Sequence, residues 1–176
     1  MRPMISMKKA FKVVLAGILV VAGLGLAACS SSGEALKIDE AVPKFSLPDL
    51  NGNTVSLKQY TGKTVILHFW QSAFDPCAKE MPYFQELQDE WSQSGDTVFL
   101  AIDVGEQTDT VKAFMQENNY TFNVLLDSKD EVAGKYNVLY VPTTFILDGE
   151  GNLKLKVEGS FKDKSAIEKQ MAAYLP

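Results

Sequence analysis

Cys77 and Glu80 stand three residues apart in a stretch that reads as the start of a helix, so a thiol and a carboxylate share one helix face. A thiol at that place makes disulfide exchange, or oxidation to sulfenic acid, the chemistry to weigh. A free thiol of ordinary pKa, about 8.5, is only a few per cent thiolate at neutral pH, and burial lowers that fraction. Two-thiol exchange needs a second sulfur to resolve the mixed disulfide, and the sequence has only one other cysteine, Cys29. Three readings of Cys77 follow: a buried core cysteine, a monothiol forming mixed disulfides or sulfenic acid, or a cross-chain disulfide partner. His68, the single histidine, lies in a strand with no Cys or His at ligand spacing. Glycine loops that cradle phosphate are absent. No metal and no other cofactor is expected.

Cys29 is accounted for differently. Residues 1–28 carry Arg2, Lys8, Lys9 and Lys12 and no acid, followed by an apolar run over 13–28. Sixteen residues are few for a membrane span and suit a signal h-region. The run ends in Leu26-Ala27-Ala28-Cys29, which resembles the lipobox of bacterial lipoproteins. That resemblance implies cleavage before Cys29 and lipidation of its thiol, leaving Cys77 without an intramolecular partner. The alternative, an uncleaved anchor helix, also places the domain outside the cytoplasm and tethered to membrane. Ser30, Ser31, Ser32 and Gly33 then read as a flexible tether. The expected organisation is a signal peptide over 1–28, lipidated Cys29 and tether over 29–40, and one domain over 41–176. Losing four cations and no acid moves the net charge from −5 to −9, which excludes ordinary nucleic-acid binding. Membrane attachment must then come from lipid.

The elements that would position Cys77 follow from hydrophobic pattern. Residues 45–47 and 54–57 flank Asp49-Leu50-Asn51-Gly52-Asn53 and predict a β-hairpin. Residues 64–70 form a near-continuous apolar strand, as in a sheet covered on both faces. Asp75-Pro76 opens a helix; Met81, Phe84, Leu87 and Trp91 give it one buried face, and Gly95 ends it. Strands are expected over 97–103, 122–126, 143–147 and 153–157, and helices over 108–118, 131–136 and 162–174. The order predicts an α/β fold with a mixed sheet between helices.

The segment Phe69-Trp70-Gln71-Ser72-Ala73-Phe74-Asp75-Pro76-Cys77-Ala78-Lys79-Glu80-Met81-Pro82 resembles the active-site segment of the TlpA/ResA family of extracytoplasmic thiol–disulfide oxidoreductases. Family members usually read Phe-Trp-x-Thr/Ser-Trp-Cys-x-Pro-Cys-x-x-Glu-x-Pro. The resemblance runs over 41–171 and includes Gly62-Lys63, Asp103-Val104-Gly105-Glu106 and Val141-Pro142-Thr143-Thr144-Phe145. It implies a thioredoxin-like fold with an N-terminal β-hairpin and a central insertion. It also implies that Phe74 replaces the attacking cysteine, Ala73 the tryptophan before it, and that Cys77 is the inward, resolving thiol. In the family the glutamate matching Glu80 lies beside the thiols, tuning their protonation and helping choose substrates. The proline matching Pro142 is cis, and the backbone at Val141 pairs with an extended peptide.

These residues carry the functional expectations. Cys77 and Glu80 form a degenerate catalytic site; Phe74, Pro76, Glu106, Val141 and Pro142 are expected to bind substrate, although Glu106 reads equally as a solvated loop acid. Trp70 and Phe69 are expected in the core. The first reading is a lipid-anchored thiol-redox protein, of cytochrome c maturation type, without two-thiol turnover. The second is a non-catalytic module binding a protein or peptide, thiol-containing or not, in the cis-proline groove. A one-cysteine peroxidase is the third. The chain resembles peroxiredoxins only in Cys77 with Glu80, because Phe74 and Trp70 stand where those proteins carry threonine and proline.

Overall fold

The computed structural model describes residues 35–176. The expected signal peptide over 1–28, Cys29 and the serines after it lie outside the described residues. Twelve elements follow one another: β1 (Ser46–Pro48), β2 (Thr54–Ser56), a 3-10 turn (Leu57–Tyr60), β3 (Thr64–Trp70), α1 (Asp75–Ser94), β4 (Thr97–Val104), α2 (Thr108–Glu117), β5 (Asn123–Asp127), α3 (Glu131–Lys135), β6 (Thr143–Leu147), β7 (Leu153–Glu158) and α4 (Lys164–Met171).

Strands β1 and β2 pair antiparallel around a loop organised by Asp49, whose Oδ1 accepts from the N–H groups of Asn51 and Asn53, each at 2.8 Å. The second strand stops at Ser56, one residue before the expected end. Its N–H donates to Gln59 Oε1, and Leu57 turns inward at the head of the 3-10 turn.

Five strands form the main sheet in the order β5-β4-β3-β6-β7. The chain runs β3 and β4 parallel, and β6 antiparallel to β3, so the sheet is mixed. Strand β5 extends it beyond β4 and, with α3, forms the insertion expected in the middle of the chain. In β3 every residue after Thr64 is buried, because both faces of the strand are covered. One face packs Val65, Leu67 and Phe69 with Leu57, Tyr136 and Phe145. The other packs Ile66 and Trp70 with Cys77, Phe84 and Met81 of α1, Val111 of α2 and Ile167 of α4.

Helix α1 carries Pro76 in its first turn, where a missing N–H costs nothing, and ends at Gly95 in the left-handed region, φ 73°. Its buried face is Cys77, Glu80, Met81, Phe84 and Leu87. Trp91, expected on that face, is half-buried and touches Phe99 at 6.1 Å between ring centroids. Helix α4 is shorter than expected: the Asp163 carboxylate accepts from the Ala166 N–H and fixes its start. Before the hairpin, Asp39 N–H donates to Leu153 O and Leu153 N–H to Glu40 O, which ties residues 39 and 40 to β7.

Among the described residues no helix is long and apolar enough to cross a membrane.

Candidate functional site around Cys77

The site forms where β3 and β4 end, because α1 starts there and brings its first turn down on the sheet. Cys77, in that turn, is completely buried. Burial pushes its thiol up to about 12, opposed by a backbone hydrogen bond from Gln71 and reinforced by the charges of Glu80 and Glu106. Cys77 is the only free cysteine among the described residues.

Glu80 is as buried as the thiol, at 1% exposure. Its Oε2 accepts from the Phe161 N–H at 2.8 Å, and its Oε1 lies 3.4 Å from His68 Nε2 without hydrogen-bond alignment. His68 Nδ1 is 2.9 Å from Thr144 Oγ1. A thiol, a carboxylate and an imidazole are thus enclosed between the sheet and α1. Sequence reasoning set His68 aside for lack of a metal partner and missed this role; the available signal was its strand position, alternate to Ile66 and Trp70 on the face that α1 covers.

Glu106 reaches the segment leading into α1. Its carboxylate accepts from Ser72 N–H at 2.5 Å, Ser72 Oγ at 2.8 Å and Ala73 N–H at 3.4 Å. It is therefore a rim residue held in place and not a free loop acid. Gly105, at φ 78°, makes the turn that aims it; a Cβ there would come 2.9 Å from Asp130 Oδ1. Behind Glu106 stands Asp103, fully buried. Burial, the Glu106 carboxyl and the charge of Asp127 raise Asp103 to about 9, so it is neutral at pH 7. Burial works against the Glu106 charge as well, but the Asp103 carboxyl, Ser72 and Ala73 outweigh it and lower Glu106. Asp103 was also missed; its parallel partner in the sheet is Trp70, which puts it under the same helix.

Four buried side-chain atoms among the described residues have no hydrogen-bond partner: His68 Nε2, Trp70 Nε1, Glu80 Oε1 and Asp103 Oδ2. All four belong to β3, β4 or α1, around Cys77. Native cores leave few such atoms, so their gathering here marks the site. Among the described residues no three His, Cys, Asp or Glu side chains group as a metal donor set.

The rim is apolar. Phe74 is 43% exposed at the position before α1, and Leu139 and Tyr140 are 69% and 74% exposed. The Val141-Pro142 peptide is cis and leads into β6, whose Thr143 faces Phe69 across the sheet. Val141 packs against the cluster that holds Cys77, so this loop stands at the same end of the sheet. Pro76 is half-buried beside them in the first turn of α1.

A family model described as AhpC/TSA family matches residues 38–156. The thiol-disulfide oxidoreductase ResA of Geobacillus kaustophilus is 36% identical over 142 residues, covering 81% of this chain and 80% of that protein. Among solved structures, a putative thiol:disulfide interchange protein DsbE from Chlorobium tepidum superposes with a TM-score of 0.72 at 29% identity, covering 79% of this chain and 98% of that one. StoA from Bacillus subtilis gives a TM-score of 0.64 at 30% identity, covering 75% and 99%. With a mixed sheet, an N-terminal hairpin and a helix that brings Cys77 to the strand ends, the chain belongs to the AhpC/TSA family and, within it, to the TlpA/ResA-like thiol–disulfide oxidoreductases of thioredoxin fold.

Proposed function

We propose that this chain is a lipid-anchored, extracytoplasmic member of that family. It holds a client polypeptide in thiol-redox or cytochrome c maturation-type processes, at a site whose single cysteine does not support two-thiol turnover. The anchor is the lipid on Cys29, and the client is an extracytoplasmic protein or peptide. The observation that carries this reading is the state of Cys77: fully buried, its thiol up at about 12, with Phe74 rather than a second sulfur at the exposed position before the helix. Peptide binding needs no sulfur. The cis Val141-Pro142 loop and the exposed Phe74, Leu139 and Tyr140 offer main-chain groups and apolar surface for an extended segment.

The test is a disulfide-reduction assay beside a peptide-binding measurement on wild type and Phe74→Cys. Wild type should bind and show no dithiol turnover, and Phe74→Cys should gain turnover. Turnover by wild type at the rate of a dithiol reductase would refute the reading.

A second reading, Cys77 as a masked monothiol, is favoured by the buried polar groups. A plain core cysteine has no need of Glu80 and His68 enclosed beside it, since burying such groups is costly. The same masking weighs against a one-cysteine peroxidase, which requires a thiolate open to peroxide.

A further inference from the structure

The Glu80 carboxylate has a hydrogen-bond donor on one side and an imidazole close by on the other. Phe161 N–H, in the loop between β7 and α4, donates to Oε2 at 2.8 Å. On the other side His68 Nε2 is 3.4 Å from Oε1. The imidazole is itself fixed, with Nδ1 2.9 Å from Thr144 Oγ1 on β6 and its ring centroid 4.4 Å from that of Phe84 on α1. It has no exposed surface and cannot turn away to solvent. Glu80 adds its negative charge to the field at Cys77, one turn away on the same helix.

We propose that His68 is a positioning residue for the Cys77 thiol, acting through Glu80: it fixes that carboxylate beside the sulfur, and with burial this keeps the thiol masked and unreactive. With an aliphatic side chain in place of His68, nothing polar on the sheet side would fix Oε1 of Glu80 where it stands. The charge that acts on the thiol would then no longer be fixed beside it. The charged and titratable groups around Cys77 are Glu80 on α1, Glu106 beyond β4 with neutral Asp103 behind it, and His68 on β3 through Glu80. Of these only His68 meets Glu80 from the sheet. The inference rests on the second reading above, in which Cys77 is a masked monothiol.

The experiment is alkylation of Cys77 by iodoacetamide in the full chain, followed by peptide mass spectrometry from pH 6 to 10, with thermal melts of each variant. His68→Leu and Glu80→Gln should each raise the rate at pH 8 about tenfold, the effect of one unit of thiol pKa. His68→Gln, which keeps an N–H in reach of Glu80, should follow wild type. If His68→Leu does not fold, His68→Asn replaces it: the shorter amide satisfies Thr144 and falls short of Glu80. Coincident profiles for wild type and the Leu or Asn variant overturn the proposal. So does a rise on replacing His68 that Glu80→Gln does not reproduce, since the effect would then be packing. A wild-type Cys77 that never reacts refutes the monothiol reading. In that case the role of His68 stands if the variants open the thiol and falls if they too stay closed.

Discussion

The carboxylate of Glu106 grips Ser72 twice, by its main-chain N–H and by its hydroxyl. The grip joins the loop after β4 to the segment that launches α1, and Gln71 adds a bond of 2.8 Å from Nε2 to Val104 O. Helix α1 has no side-chain cap of its own at Phe74, so this cross-link does part of a cap's work. Glu106→Ala should lower stability by about 1–2 kcal/mol, the range for hydrogen bonds to a partly exposed charged group. Urea unfolding should show a lower midpoint at unchanged slope, and amide exchange at Ser72 and Ala73 should quicken.

Asp103 makes stability fall as pH rises. Its folded pKa, about 9, lies above the unfolded value, so the folded state keeps a proton that the unfolded chain has lost. The contribution is therefore complete in acid below the unfolded pKa and is lost progressively as pH climbs through about 9. Asp103→Asn cannot ionise and retains an N–H for Glu106. The gap between this variant and wild type should move in the variant's favour between pH 5 and 9, read as melting temperature against pH. A constant gap across that window would contradict a neutral Asp103.

Phe84 is the keystone of the packing over His68. Its ring lies 4.9 Å from that of Phe99, nearly parallel, and 6.0 Å from Phe161 edge-on, with no exposed surface. Phe84→Ala should cost about 3–5 kcal/mol, the range for emptying a buried aromatic site. A melt should fall by roughly 10 °C, at some 2–4 °C per kcal/mol for a chain of this size.

At the rim the expected effect is the reverse, with binding lost and stability kept. Tyr140 and Leu139 protrude into solvent, so Tyr140→Ala should leave the melting temperature nearly unchanged, within about 0.5 kcal/mol. If the cis-proline loop is the client surface, the same change should weaken peptide binding by about 1–2 kcal/mol, or roughly tenfold. Isothermal titration with an extended peptide reads it directly.

The parts of the fold legible in the sequence are those written in local pattern. The apolar run of β3, the Asp-Pro opening of α1 and the glycine that closes it are each a few residues long, and the structure has them where they were read. The cis peptide at Pro142 followed from family resemblance, not from periodicity. What escaped is non-local. Glu80 meets Phe161 across 81 residues, and His68 meets Thr144 across 76. Spacing alone puts Glu80 on the face of Cys77, yet a carboxylate on that face looks the same whether it meets water or an imidazole. The Asp103–Glu106 pair hides for a different reason: two acids three apart at a strand end read as a solvated rim, and only burial beneath α1 makes one of them neutral. The ends of α4 and β2 shifted because Asp163 and Gln59 make side-chain bonds that hydrophobic pattern does not register.

The two carboxylates that flank Cys77 also set its fate under oxidative stress. Glu80 and Glu106 both add negative charge at the sulfur, so every anionic form of it is disfavoured, and sulfinate and sulfonate are anions as much as thiolate is. Burial, which does most to raise the thiol, and the two charges beside it therefore weigh against the irreversible steps of that ladder as they weigh against thiolate.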